Sequence, residues 1–134
     1  MALTDAYVAA RLPARDLDRA RRWYADKLGL EPVEERPGGL RYLVGGFEFA
    51  LYHSAGRADG SFTQLGFTVA DVDAEVAALR ARGVVFEDYG LPGQDPDTGI
   101  VPIEGNYPSK GTGERAVWFR DSEGNMLGLS SPTG

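Results

Sequence analysis

The chain contains the same order of predicted elements twice, and this repeat limits the available folds more than any other feature of the sequence. A strand-like run precedes each of two amphipathic helices, and further strand-like runs follow each helix. Asp16 and Asp71, each placed to cap a helix, are 55 residues apart. Gly29 and Gly83, each placed to end one, are 54 residues apart. Offsets that agree within one residue predict a duplicated βαβββ unit, and 134 residues are enough for one domain built from two such units.

Seven runs are predicted to be strands because they are rich in apolar and aromatic residues and most of them alternate with polar ones. They are residues 7–12, 40–44, 47–52, 63–69, 84–89, 116–119 and 126–130. Gly45-Gly46, between two of these runs, predicts a tight hairpin, since a primed two-residue turn requires positive φ. Residues 90–113 are rich in glycine and proline and have no counterpart in the first half. A binding loop and a solvated surface loop are both compatible with that composition.

Composition excludes several kinds of site. The chain has no cysteine, which excludes disulfides and thiolate sites, and its single histidine, His53, excludes a centre of several histidines within one chain. A formal net charge of −6 argues against a nucleic-acid surface. No run approaches the ~20 apolar residues that span a bilayer, and the first residues do not resemble a secretion signal. We therefore expect a cytoplasmic protein with no nucleic-acid or membrane partner.

Two segments carry a resemblance to a known family. ARDLDRARRWYADKLGL and WFRDSEGNMLGL are similar to the signatures DLxRAxxFYxxxLGL and FxDPDGNxxEL of the vicinal oxygen chelate superfamily. That superfamily includes glyoxalase I, extradiol dioxygenases and the bleomycin resistance proteins. The resemblance implies an α+β fold in which two βαβββ units, at about 5–54 and 62–131, form a curved mixed sheet with a concave ligand cavity and helices on the outer face. It also implies a homodimer whose cavities are each built from both chains.

The resemblance also identifies four positions where metal-dependent members of the superfamily carry ligands. They lie on the first and last strands of each unit and correspond here to Ala9, Ala50, Gln64 and Gly128. Three of these residues have no side-chain donor, whereas divalent cations prefer several His or carboxylate groups. We therefore expect no metal and no other cofactor. Small residues at these positions predict open volume for a hydrophobic ligand.

Strand alternation from these positions predicts which side chains face the hollow and which face the helices. The candidate ligand-binding residues on the strands are Tyr7, Arg11, Leu43, Glu48, Tyr52, Phe62, Gln64, Trp118, Met126 and Ser130. Tyr107 is added to them as a residue of the segment 90–113 that would close over the ligand. The predicted helix-facing core contains Val8, Ala10, Leu12, Phe47, Phe49, Leu51, Leu65, Phe67, Val69, Leu127 and Leu129. Aromatic surface with a few polar groups suits a planar or elongated organic ligand. For any single aromatic residue, packing within the protein is an equal alternative.

These residues favour a metal-free protein that sequesters an antibiotic-like or toxic organic compound, similar in character to the bleomycin resistance proteins. The alternative is a glyoxalase- or dioxygenase-like lyase or isomerase. It would use an atypical metal site of Glu48, Gln64 and Glu104, or metal-free acid–base catalysis by Glu48 with a pKa raised by burial. A third hypothesis, ranked last, is a fold that serves only for association with another protein.

Overall fold

The computed structural model describes residues 3–105 and 111–134 and contains two four-stranded mixed sheets. In chain order the elements are a 3-10 turn (Leu3–Asp5), β1 (Ala10–Ala14), α1 (Leu17–Trp23) continued by a π-helical turn (Tyr24–Leu28), β2 (Glu34–Arg36), β3 (Gly39–Val44), β4 (Phe47–His53), β5 (Leu65–Thr68), α2 (Val72–Ala81), β6 (Val101–Glu104), β7 (Gly113–Arg120) and β8 (Met126–Thr133). α1 packs on β3 and β4, and α2 packs on β7 and β8. Each sheet therefore has its own helix on one face.

The two sheets repeat one topology strand for strand. Their orders are β1-β4-β3-β2 and β5-β8-β7-β6. In each sheet the first strand pairs in parallel with the last, and the other neighbours are antiparallel. The α+β fold of two βαβββ units is therefore confirmed.

Both helices begin and end at the predicted residues. The side chains of Asp16 and Asp71 each accept a hydrogen bond from the backbone N–H three residues later, at 3.0 and 3.1 Å. Gly29 and Gly83 follow the helices with φ angles of 69° and 89°, a conformation that glycine adopts at little cost. In the described part of the chain, no helix combines the length and the apolar character that crossing a membrane requires.

The first sheet contains the predicted hairpin, but its first strand begins later than predicted. Gly45 and Gly46 have φ angles of 58° and 81°, as a primed turn requires. β1 begins at Ala10 rather than at residue 7, so among the described residues no strand pairs with the first two residues of β4 on that side. Val8 and Phe47, predicted to be in the core, are consequently 85% and 79% exposed.

The second sheet corrects two predictions about the segment after α2. Residues 84–89 are not a strand, because within the described part of the chain only Phe86 among them forms a bridge, to Phe119. The outer strand is β6 instead, which lies within the segment 90–113 that was predicted to have no counterpart. By its place in the sheet order, β6 is the counterpart of β2.

One hydrophobic core joins the helix-facing sides of both sheets. Tyr24 of the π-helical turn packs on Tyr42 and Phe49 of the first sheet, with ring-centroid distances of 5.6 and 6.0 Å. The preceding residue, Trp23, projects from another side of the same helix and stacks on Phe119 of the second sheet at 6.3 Å. The first helix therefore lies between the two sheets, and their other faces are directed away from this core. We call these the first open face (Arg11, Arg41, Leu43, Glu48, Ala50 and Tyr52) and the second open face (Gly66, Thr68, Ala116, Trp118, Gly128 and Ser130).

The turn between β7 and β8 connects the two units through buried polar groups. The Tyr24 hydroxyl donates to Asp121 Oδ2 at 2.7 Å. The Asn125 side-chain amide donates to the same carboxylate at 2.8 Å and to the Pro13 carbonyl oxygen of β1 at 3.0 Å. The polar residues of the signature FRDSEGN thus hold the second unit against the first.

Candidate functional site

A cavity of about 370 Å³ lies on the second open face. Its lining includes Gln64, Gly66, Thr68, Ala116, Trp118, Gly128 and Ser130. Gly66, Gly128 and Trp118 are partners in one row across β5, β8 and β7. Gly66 leaves the floor of this row open, and the Trp118 indole forms an aromatic wall beside it.

Trp118 and Thr63 occupy the space above Gly128. A Cβ atom at position 128 would lie 3.2 Å from Thr63 Cγ2 and 3.5 Å from Trp118 Nε1. The glycine therefore lets the indole lie close across β8. The open volume predicted at position 128 is found instead above Gly66, where nothing lies within 4 Å of a Cβ position.

Tyr89 holds Trp118 from another side and is a site residue that the sequence reasoning missed. The two rings meet edge to face, with centroids 5.6 Å apart, and the Tyr89 hydroxyl donates to Met126 Sδ at 3.7 Å. Burial, and after it the charge of Glu87, raises the pKa of Tyr89, so the hydroxyl stays protonated at neutral pH. The signal in the sequence that could have identified Tyr89 is its position directly before the glycine-rich segment 90–113.

Gln64 and Met126, both predicted to face the ligand, are tied into the fold. Gln64 Nε2 donates to Asn125 Oδ1 at 2.9 Å, and Gln64 Oε1 accepts from the backbone N–H of Met126 at 3.0 Å. Both ends of that amide are therefore already hydrogen-bonded. Met126 is only 1% exposed. Ser130, half-buried in the cavity wall, is the predicted polar group of β8 that stays accessible.

The residues at the four metal positions do not fit a divalent cation. Ala9, Ala50 and Gly128 offer no donor, and the Gln64 amide is used within the fold. Over residues 3–105 and 111–134, no three His, Asp or Glu side chains converge where they could hold a metal ion. The carboxylates of the atypical site, Glu48 and Glu104, belong to different sheets.

The first open face is polar, in contrast to the second. Arg11, Ala50 and Arg41 are partners in one row across β1, β4 and β3, so two guanidinium groups flank a small residue. Arg41 forms ion pairs with Glu48 and Glu34, each at 3.1 Å. This face therefore offers hydrogen-bond donors, whereas the second offers an aromatic surface.

Glu48 has a lowered pKa, which corrects the expectation that burial raises it. A hydrogen bond with the Tyr7 hydroxyl lowers the pKa of Glu48, and together with Arg41 it outweighs burial. The same hydrogen bond raises the pKa of Tyr7. A carboxylate with a lowered pKa is a weaker proton acceptor, which weakens the case for acid–base catalysis by this residue.

The other candidate residues are distributed over the two open faces and the segment between the units. Tyr7 precedes β1 and is 72% exposed, yet it reaches Glu48. Leu43 and Tyr52 are exposed on the first open face. Phe62 precedes β5 and borders a separate cavity of about 440 Å³. The structure thus groups Tyr7 and Arg11 with Glu48, groups Tyr52 and Gln64 with Phe62 in the cavity of about 440 Å³, and groups Trp118 with Ser130. Tyr107 lies outside the described residues.

Comparisons with known proteins agree with this geometry. The family model for the Glyoxalase/Bleomycin resistance protein/Dioxygenase superfamily matches residues 6–129. Comparison with curated protein sequences gives no match. Beyond the family model, similarity to individual proteins comes from solved structures.

Three solved structures share the fold. A glyoxalase/bleomycin resistance protein/dioxygenase from Alicyclobacillus acidocaldarius is 18% identical, with a TM-score of 0.71 over 97% of this chain and 93% of that chain. TnmS3, an antibiotic binding protein from Streptomyces sp. CB03234, is 24% identical, with a TM-score of 0.63 over 96% and 98%. FosX, a fosfomycin resistance protein from Listeria monocytogenes, is 14% identical, with a TM-score of 0.68 over 96% and 94%. At such identities the likeness shows the fold and not the activity.

Proposed function

We propose, from the premise that the chain belongs to the glyoxalase/bleomycin resistance protein/dioxygenase superfamily, that it sequesters a planar organic compound without transforming it. The observation that carries this proposal is the position of the Trp118 indole, which lies over Gly128 next to the open volume above Gly66. A planar ligand can stack on such a wall. TnmS3, which has the same fold, is an antibiotic binding protein, and this supports a ligand of antibiotic type.

The residues that replace the superfamily's metal ligands support binding over catalysis. Neither Ala50 nor Gly128 can coordinate a cation. Glu48, the remaining candidate for acid–base chemistry, is paired with Arg41 and has a lowered pKa. The proposal therefore gives the site no reacting group and assigns its affinity to stacking and a few hydrogen bonds.

A homodimer completes the proposed site. Every residue that lines the cavity on the second open face belongs to the second unit, so one chain supplies only one wall of that cavity. Exposed apolar side chains at Leu43, Phe47 and Phe62 suit burial against a second copy. In this arrangement the first open face of one copy covers the second open face of the other, and Arg11 supplies a polar contact opposite Trp118.

Tryptophan fluorescence tests ligand binding directly. The chain has two tryptophans, so Trp23→Phe leaves Trp118 as the single reporter at the site. Titration with polycyclic aromatic, glycopeptide and enediyne compounds is expected to find a ligand that quenches Trp118 at micromolar concentration. The same compound is expected to raise the melting temperature by mass action.

Two controls separate this function from catalysis and from unspecific quenching. Trp118→Phe keeps an aromatic wall and is expected to retain most of the affinity, whereas Trp118→Ala is expected to lose at least about tenfold. The ligand should be recovered unchanged after incubation, as checked by mass spectrometry. Conversion of the compound, or stoichiometric metal in protein purified without chelators, would contradict the proposal.

A further inference from the structure

A second cavity of about 530 Å³ lies where the two units meet and shares no lining residue with the cavity on the second open face. We call it the arginine cleft, after the four residues Arg15, Arg19, Arg57 and Arg120 in its lining. Two carboxylates, Asp59 and Glu123, also line it. Among the lining residues, arginines therefore outnumber carboxylates by two, in a chain whose formal net charge is −6.

Glu123 neutralises one arginine and is itself fully used. Its side chain is 1% exposed and pairs with both Nε and Nη2 of Arg19, at 2.8 and 2.9 Å. It also accepts the backbone N–H groups of Arg15 and Asp16, at 3.0 and 3.1 Å. The acceptor capacity of this carboxylate is therefore already used, and it does not neutralise an arginine on the other side of the cleft. Arg120 is paired with Glu87 at 2.9 Å, so within the described part of the chain the unpaired positive charge belongs to Arg15 and Arg57.

Arg120 is held in place with part of its guanidinium still available. Its Nε donates to Glu87 Oε1 at 2.9 Å, and its Nη1 donates to the Asp59 carbonyl oxygen at 3.1 Å. The guanidinium lies so close to Gly60 that a Cβ atom there would overlap it. A glycine with φ of 71° thus makes room for this arginine, while Nη2 stays unused by these contacts.

Arg15 and Arg57 supply the donors that have no carboxylate partner. Arg15 Nε donates to the Ala55 carbonyl oxygen at 3.2 Å, which leaves both of its terminal nitrogens for another acceptor. Arg57 is exposed, and within the described residues its guanidinium has no ion pair. Guanidinium groups bind phosphate oxygens with paired, charge-assisted hydrogen bonds.

We propose that the arginine cleft binds the phosphate group of a small molecule. Three guanidinium groups with unused donors converge on one cleft, and a phosphate group offers several acceptor oxygens and the negative charge that this cleft lacks. The size of the cleft suits a small molecule, and the acidic character of the whole chain disfavours an extended polyanion. The site is separate from the proposed aromatic ligand site and does not depend on it.

Calorimetric titration with inorganic phosphate and with phenyl phosphate, at constant ionic strength set by sodium chloride, tests the proposal. Both anions are expected to bind, and the Arg15→Gln/Arg57→Gln double variant is expected to bind at least about tenfold more weakly. Arg22→Gln is the matched control, because Arg22 is exposed on α1 and does not line the cleft. Circular dichroism establishes that the variants are folded.

The two anions also distinguish the source of the phosphate. Tighter binding of phenyl phosphate assigns the cleft to a phosphate ester, and tighter binding of inorganic phosphate assigns it to the free anion. Either result supports the proposal. Absence of binding by both anions at millimolar concentration, or equal binding by the double variant and the wild type, overturns it.

Discussion

Among single residues, Glu123 links the stability of the chain to pH most directly. Burial alone would raise its pKa, but hydrogen bonds from Arg19, from the Asp16 backbone N–H and from Ser122 lower the pKa to about 2. An ordinary glutamate in the unfolded chain has a pKa near 4.5. The folded state therefore favours the ionised form of this side chain.

We predict that Glu123→Gln lowers the free energy of unfolding at pH 7 by roughly 1–3 kcal/mol, after allowing for screening around the half-exposed Arg19. Because the folded pKa lies below the unfolded value, the stabilisation is present above about pH 4.5 and is lost as the pH falls toward 2. Urea unfolding of the wild type and of Glu123→Gln, at pH 7 and at pH 3, measures the difference in their free energies of unfolding. Glu75→Gln, an exposed residue of α2, is the control; an equal deficit for Glu123→Gln at both pH values would contradict the prediction.

Gly128 is a residue where restoring the superfamily signature is expected to fail. Gly128→Glu places the usual glutamate back on β8, but its side chain must displace the Trp118 indole and the Thr63 methyl group. We predict a shift of Trp118 emission in the Trp23→Phe background and at least about tenfold weaker ligand binding. We also predict no gain of tightly bound divalent metal, since Ala9 and Ala50 still lack donors. Stoichiometric zinc or manganese in the variant would contradict this reasoning.

At the scale of elements, the first helix connects both sheets, and two tyrosines allow its contribution to be measured. Tyr24 and Tyr42 are both buried and pack against one another. The Tyr24 hydroxyl donates to Asp121, whereas the Tyr42 hydroxyl has no hydrogen-bond partner in the described part of the chain. Removing the hydroxyl oxygen is therefore expected to have different consequences at the two positions.

We predict that Tyr24→Phe costs about 1–3 kcal/mol, because it leaves an oxygen of the buried Asp121 carboxylate without that donor. Tyr42→Phe is expected to be neutral or stabilising, because it removes a buried polar atom that lacks a partner. Chemical denaturation of both variants and the wild type in the same buffer compares their free energies of unfolding. Equal losses in the two variants would show that the hydrogen bond to Asp121 is not the cause.

Elements with strong local signals could be predicted from the sequence, and those defined by tertiary pairing could not. The capping aspartates and the Gly45-Gly46 turn act within a few residues, so their effects were visible in the sequence. The strand-like composition of residues 84–89 was misleading, since Phe86 packs edge to face on Phe119 at 5.7 Å and the segment pairs no further. β6 contains Pro102 and little periodicity, and it is a strand because it pairs with β7.

The same distinction between local signals and tertiary contacts applies to the candidate site. Alternation from Gly128 placed Ser130 on the hollow-facing side, and the helix-facing character of Val117 and Phe119 placed Trp118 there, because the period of a strand is fixed by its geometry. The contact of Tyr89 with Trp118 depends on how a loop folds back, which no local pattern encodes. The use of the Gln64 amide by Asn125 and Met126 likewise requires the turn and strand to be placed in three dimensions.

At the scale of the whole molecule, apolar side chains left uncovered at one end of the first sheet predict self-association. Val8, Leu43 and Phe47 are all more than half exposed. We predict a homodimer at micromolar concentration in sedimentation velocity experiments, and at least about tenfold weaker association in Phe47→Glu. The melting temperature of the Phe47→Glu monomer at high dilution should match that of the diluted wild type. A wild-type monomer at all accessible concentrations would contradict the proposed pairing of open faces.

The position of α1 between the two sheets has a genetic consequence. If each pocket combines one wall from either copy, a chain damaged on one wall and a chain damaged on the other form a mixed pair with one intact pocket and one doubly defective pocket. Co-expression of Arg11→Glu and Trp118→Ala chains should then restore full affinity in about a quarter of the pockets through random pairing, although each chain alone binds at least about tenfold more weakly. Such complementation between two defective alleles would not arise if every pocket belonged to a single polypeptide.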